Sequence, residues 1–383
     1  MENEENTQSI QQGDLNQAQE FAKSTSLEDI KSGEWFVKLL HWALKTYREK
    51  VNAAYFQEKY PGLPPDAIVD RRIDLAQKYA ALEGGSTAAA YTVAVAATIG
   101  SHGGASPLTV PAAFTAFTVD LGLISLLQLR LAYDISVIYG KPLDYDDPED
   151  LIDLLVLAFG IKAGETFSVG LQKLSPEAVR VLIKKTVTGS SREWLKALPV
   201  VGKFLLQRNF IKMAIPLVGI GLGSGINYFY TGSIGKRAKK MFRMRGAIEE
   251  TADQVSWDSL EYSYLFLQTI WLVMRADKHV QQEEAWYWRS LIAGLEEIDI
   301  DGKVKQDFEA KINIDEEIVM DQLHNLSPEL STEIYNAACV ASVVDGKLKD
   351  NELKFLQKLA EICNCKFDKR ALSKLANELH SKA

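Results

Sequence analysis

Strand signals are nearly absent from this sequence. No alternating apolar–polar run is bounded by the Asn-Gly or Asp-Gly turn chemistry of a hairpin. Helical periodicity is plain instead. Trp35, Phe36, Leu39, Leu40, Trp42 and Ala43 form an apolar stripe that Tyr47, Val51 and Tyr55 continue. Pro61, Pro64 and Pro65 break that helix, and a second one starts near Asp66 with Ile68, Ile73, Leu75 and Ala76. A further helix over 112–139 ends at Gly140, with Pro142 just beyond as a stop signal. Asp147-Pro148-Glu149-Asp150, Ser175-Pro176-Glu177 and Ser190-Ser191-Arg192-Glu193 open three more. The reading is all-α.

With 383 residues, 47% of them hydrophobic and 25% charged, the chain has ordinary globular composition and length for two domains. Its net charge of −8 is unevenly spread: −5 over residues 1–33, +8 over 34–246 and −11 over 247–383. That balance argues against a general nucleic-acid binder and divides the chain into parts with different partners. Residues 1–32 read as a disordered acidic tail, 33–246 as one helical domain and 247–383 as a smaller one. Three cysteines, Cys339, Cys363 and Cys365, make no secretory disulfide framework, and Cys363-Asn364-Cys365 reads as idle thiols rather than a zinc site. The opening Met1-Glu2-Asn3-Glu4-Glu5 is no signal peptide, so a reducing cytoplasmic setting is expected, with peripheral association at an inner membrane.

Two stretches lack Asp, Glu, Lys and Arg altogether. The first, 84–119, is interrupted by Gly100-Ser101-His102-Gly103-Gly104, Pro107 and Pro111. The second, Met213 to Gly235, is long enough to cross a bilayer core at ~1.5 Å per residue. It also holds Pro216, Asn227 and glycines, among them the small-residue pairs Gly219/Gly223 and Gly221/Gly225. A buried helix, a lipid-inserting helix and a span all fit it. A basic run follows, with Lys236, Arg237, Lys239, Lys240, Arg243 and Arg245. Such a run is either a solvated helix face or a site for an anionic membrane surface, where each cation contributes about 1 kcal/mol.

Leu127-Gln128-Leu129-Arg130-Leu131-Ala132-Tyr133-Asp134-Ile135-Ser136-Val137-Ile138-Tyr139-Gly140 resembles the signature helix of the EcsC family. Ile215-Pro216-Leu217-Val218-Gly219 with Gly223, Asn227-Tyr228, Gly235 and Ala238 resembles the closing segment of the same family. The likeness covers about residues 65–245. It implies a bacterial helical domain associated with membranes and transport. Asp120, Gln128, Arg130, Tyr133 and Asp134 interrupt the apolar helix, and Arg130 and Asp134, four apart, can pair. Once buried, such groups form a satisfied polar network that sets helix register, or they line a pocket.

Catalytic motifs fail. Gly219-Ile220-Gly221-Leu222-Gly223-Ser224-Gly225 lacks the third glycine of a dinucleotide fingerprint, and Gly235-Lys236 is followed by Arg237 rather than Ser or Thr. There is no HExxH or GxSxG, and His102 stands alone among glycines. The expectation is a protein that is not an enzyme.

The acidic third contains a repeat. Arg275-Ala276-Asp277-Lys278-His279-Val280-Gln281-Gln282-Glu283-Glu284 matches Val343-Val344-Asp345-Gly346-Lys347-Leu348-Lys349-Asp350-Asn351-Glu352. Neither copy is an EF-hand, because the earlier ligand positions hold Ala341 and Val343, or Val273 and Arg275. Glu297-Ile298-Asp299-Ile300-Asp301-Gly302-Lys303-Val304 fails as well, with Phe308 where a bidentate Glu is needed. The repeat resembles the TerB family, the helical tellurite-resistance type, over about residues 255–365. That likeness implies an acidic surface of stress-response assemblies, with a divalent metal (Ca²⁺ or Mg²⁺) held by Asp277, Glu284, Asp345 and Glu352. The alternative is that these residues cap helices.

The expected function is therefore binding of an anionic membrane surface or lipid-like ligand by the middle domain, with the C-terminal domain sensing a divalent cation or recruiting a protein. A metal-dependent hydrolase and a soluble stress-response scaffold are the alternatives.

Overall fold

The computed structural model describes residues 20–100, 106–144, 147–159, 220–257, 259–277, 280–296 and 314–381. Every regular element among them is a helix. The helices opening at Ser175 and Ser190, the Glu297–Val304 segment and His102 lie outside the described residues. The described chain falls into two compact units, one reaching Lys239 and one beginning at Lys240.

The first unit contains α1 (Leu27–Ser32), α2 (Glu34–Lys50), α3 (Ala53–Lys59), α4 (Pro65–Gly100), α5 (Ser106–Ile138), α6 (Pro148–Phe159) and the first part of α7 (Ile220–Ala252). Order begins earlier than the sequence suggests, so the disordered tail ending at residue 32 is corrected for 20–32. Ser26 and Asp29 form a capping box, with the Asp29 N–H donating to Ser26 Oγ and the Ser26 N–H donating to Asp29 Oδ2. Phe21 is buried beside Gly122, where a β-carbon would lie 2.7 Å from its ring. Ile30 and Thr25 are buried as well, and Lys38 pairs with Asp29 at 2.8 Å.

The uncharged run 84–119 supplies the second half of α4 and the first half of α5, and these two helices pack along each other. α5 starts at Ser106 rather than 112, with Pro107 and Pro111 inside its N-terminal turns. Pro107 stands where the first helical N–H groups have no intrahelical partner, so it removes nothing from the helix. The predicted stop is where the sequence puts it: Gly140 has φ 72, and the Lys141 N–H closes onto the Ser136 carbonyl at 2.8 Å. α2 and α3 lie against α5, burying Trp35, Phe36, Leu39, Leu44 and Phe56 with Leu123, Leu126 and Leu129. α4 meets α7 at two glycines. A β-carbon at Gly235 would sit 2.5 Å from Ile73 Cγ1, and one at Gly232 would sit 2.3 Å from Gln77 Nε2. These, not Gly221/Gly225, are the close approaches that are described; Gly225 faces open space.

The second unit holds the end of α7 with α8 (Leu260–Arg275), α9 (Gln282–Glu296), α10 (Glu316–Leu323), α11 (Pro328–Val343), α12 (Asp350–Ile362) and α13 (Lys369–Ser381). α8 and α11 pair at its centre, and α12 and α13 pack on α11. No described helix is long and apolar enough to cross a membrane.

Candidate cation cluster and basic helix face

Asp277 and Asp345 each follow the last turn of a central helix, α8 and α11. Glu284 and Glu352 each lie in the first turn of the next helix, α9 and α12. The two copies therefore present four carboxylates from two like turns, and the structure brings all four together. At their centre is Lys349 Nζ. It lies 2.9 Å from Asp277 Oδ2, 3.0 Å from Glu284 Oε1, 3.1 Å from Asp345 Oδ2 and 3.1 Å from Glu352 Oε1.

Sequence reasoning missed Lys349. The signal was present, because Lys349 is four residues after Asp345 and three before Glu352, the spacing at which side chains meet. It is the N-cap of α12 and makes no side-chain cap bond, so its side chain is free to turn inward. In the first copy the same slot holds Gln281, whose backbone N–H donates to Glu284 Oε2 at 2.8 Å. Glu284 thus closes its helix end as the capping reading expects, whereas Glu352 is turned onto the ammonium.

The cluster is buried, with Glu284 and Glu352 each 1% exposed. Burial raises the Glu284 pKa to about 7 against the lowering effects of the Gln281 N–H and Lys349. Burial likewise raises Glu352 to about 8, again opposed by Lys349. For Lys349, burial works downward, but contacts with Asp277, Glu284 and Glu352 outweigh it and raise the pKa. An ammonium carries three donors. Four carboxylates exceed them, and Asp345 Oδ2 and Glu352 Oε2 are both buried without a hydrogen-bond partner. Among the described residues no group of three or more His, Cys, Asp or Glu is arranged to hold a metal ion. The residues of the expected metal set converge, but a lysine nitrogen fills their centre.

The basic run lies on α7 and splits by environment. Lys239 pairs with Asp70 at 2.7 Å, and Arg245 pairs with Glu249 at 3.1 Å. Arg243 is half-buried. Lys236, Arg237 and Lys240 are exposed, and no ion pair among the described residues engages them. With Phe229 and Ser233 they stand at i, i+4, i+7, i+8 and i+11, which is one face of a helix. Phe229 is 74% exposed.

Of the polar residues of α5, Asp134 is the centre of a buried hydrogen-bonded group. Asp134, fully buried, accepts from the Tyr47 hydroxyl at 2.8 Å and from Arg72 Nε at 3.1 Å, with a second bond from Arg72 Nη2. The Arg130–Asp134 pair is corrected: Arg72 from α4 takes that carboxylate, and the Arg130 guanidinium stacks 4.5 Å over the Tyr47 ring. Tyr133 meets Tyr47 edge-on, and Arg72 lies 5.9 Å from the Phe56 ring. Gln128 is buried nearby on the same helix, and the side chain of Asp120 lies outside the described residues. One carboxylate thereby ties α2 and α4 to α5.

No curated protein and no solved structure matches this chain. Residues 108–246, which span α5 to α7 and contain both segments that carry the resemblance, match the model of the EcsC protein family.

Proposed function

We propose that this chain is a non-enzymatic protein that binds anionic membrane surfaces through the outward face of α7. The observation that carries the reading is Phe229, an exposed aromatic on the same helix face as the exposed cations Lys236, Arg237 and Lys240. Three cations near an anionic leaflet contribute about 1 kcal/mol each. Inserting one aromatic side chain adds ~1.5–3 kcal/mol. Together these support reversible contact, not anchoring. The EcsC match of this region agrees in kind with such a role, since the resemblance implies membrane association. The C-terminal third, residues 247–383, resembles TerB over about 255–365 and carries −11. Like charge repels it from an anionic bilayer, so in this reading it recruits a protein partner of basic character.

Co-sedimentation of the full chain with vesicles tests the proposal. Binding to phosphatidylcholine vesicles containing a quarter phosphatidylglycerol, reduced in 0.5 M salt and absent with phosphatidylcholine alone, is the expected result. Equal binding to both vesicle types removes the electrostatic part, and no binding to either removes the function. Retention after alkaline carbonate would make the association an insertion rather than a surface contact.

A further inference from the structure

Among the described residues, four carboxylates, the Lys349 ammonium and two buried oxygens without a hydrogen-bond partner, Asp345 Oδ2 and Glu352 Oε2, occupy the junction of the two C-terminal turns. We infer that Lys349 is the resident cation of this cluster, clasping the two copies of the repeat together, and that a divalent ion can take the centre only when the lysine is removed.

The geometry supports this in three ways. First, Nζ is 2.9–3.1 Å from an oxygen of each carboxylate, so all four share this one ammonium at nearly equal distance. Oxygen ligands of Ca²⁺ lie at about 2.3–2.6 Å. The cage therefore has to contract by only about half an ångström to suit that ion, but ammonium and metal cannot share the point. Second, Glu352 Oε2 is buried, lacks a hydrogen-bond partner and belongs to a carboxylate already turned inward. The site holds more acceptor capacity than one ammonium satisfies. Third, the two turns share their Asp and Glu positions but differ in the slot that supplies the cation, Gln281 in one and Lys349 in the other. Among the described residues Lys349 is the cation that pairs with all four carboxylates, and a neutral residue at 349 would remove that shared partner.

The clasp is tested on the full chain by thermal melts and by titration with Mn²⁺ and Ca²⁺. The wild-type chain should melt at the same temperature in EDTA and in 1 mM Mn²⁺ or Ca²⁺. Lys349→Gln should melt lower in EDTA, recover on adding either ion, and bind Mn²⁺ at least tenfold more tightly than wild type. Lys349→Gln combined with Glu284→Gln and Glu352→Gln should regain a cooperative melt in EDTA and lose the response to metal. Three results would overturn the inference. One is sub-millimolar Mn²⁺ binding by the wild-type chain. Another is a folded Lys349→Gln that takes up neither ion. The third is a triple variant that melts no better than Lys349→Gln, which would make the lysine a packing element and not a counter-ion.

Discussion

Arg72 and Asp134 form an ion pair inside the first unit, with the carboxylate fully buried and the guanidinium 17% exposed. Asp134 is also the acceptor for Tyr47, so its loss strands a charge and a hydroxyl together. Breaking a buried pair from one side costs ~3–5 kcal/mol, because the surviving charge stays uncompensated. Asp134→Ala is expected to lose that much stability in urea unfolding of the full chain. Tyr47→Phe removes one bond to a charged acceptor and should cost about 1.5–3 kcal/mol. A loss below 1 kcal/mol for Asp134→Ala would mean that α5 is held by packing alone.

Gly235 and Gly246 lie on the same helix and should respond to alanine with opposite signs. A β-carbon at 235 meets Ile73 Cγ1 at 2.5 Å, and a β-branched side chain has little freedom to move aside. Gly235→Ala is therefore expected to destabilise by ~1–3 kcal/mol through overpacking. Nothing lies within 4 Å of a β-carbon at 246. Gly246→Ala should stabilise by ~0.8–1 kcal/mol through helix propensity alone. Equal shifts in the two urea midpoints would refute the close approach of α4 and α7.

The thiols differ by position. Cys339 and Cys363 are buried, and burial pushes their pKa values up to about 11 and about 12. Cys365 is only partly buried. Alkylation of the native chain at pH 8, read by peptide mass, should modify Cys365 first and leave the other two intact until the chain unfolds.

Much of this molecule was legible in its sequence, and the misses share a cause. Helix periodicity, the Gly140 stop and the Asp147 cap are local, so spacing reveals them. The four acidic positions emerged because a repeat displays its own equivalences. Lys349 did not, because its role depends on two turns meeting in space, and only one of them is adjacent in sequence. The same holds for Arg72: Arg130 is the natural partner of Asp134 along one helix, but the partner that reaches the carboxylate comes from another. Phe21 was overlooked for a compositional reason, since one aromatic in a polar segment barely changes an average.

The membrane face separates into a charge part and an apolar part. Lys236→Gln with Arg237→Gln and Lys240→Gln should abolish the salt-sensitive share of vesicle binding. Phe229→Ser should weaken binding in low and high salt alike, because apolar insertion is not screened. Lys239→Gln and Arg245→Gln are controls, since both side chains are held by carboxylates, Asp70 and Glu249. If these two variants reduce vesicle binding as much as the triple variant, the bilayer reads the net charge of the helix and not its outward face.

The acidic cluster also sets a dependence of stability on pH. Glu284 and Glu352 have folded pKa values raised to about 7 and about 8 from 4.5, chiefly by burial. Over this window the folded chain binds more protons than the unfolded one, so stability falls as pH rises. Their contribution is complete below pH 4.5 and is lost as the pH passes about 7 and then about 8. Asp29 works in the opposite sense. Its contacts with Lys38 and Ser26 lower its pKa to about 2 from 3.8, so its contribution is lost only as pH falls toward 2. Between pH 4.5 and about 8 the glutamates dominate, and the melting temperature of the full chain should decline over that window and level off above it. Glu284→Gln with Glu352→Gln replaces both with neutral side chains of similar shape, and it should flatten that decline, melting close to wild type near pH 4.5 and above it at pH 8. A slope that persists in the double variant would assign the pH response to groups outside the cluster.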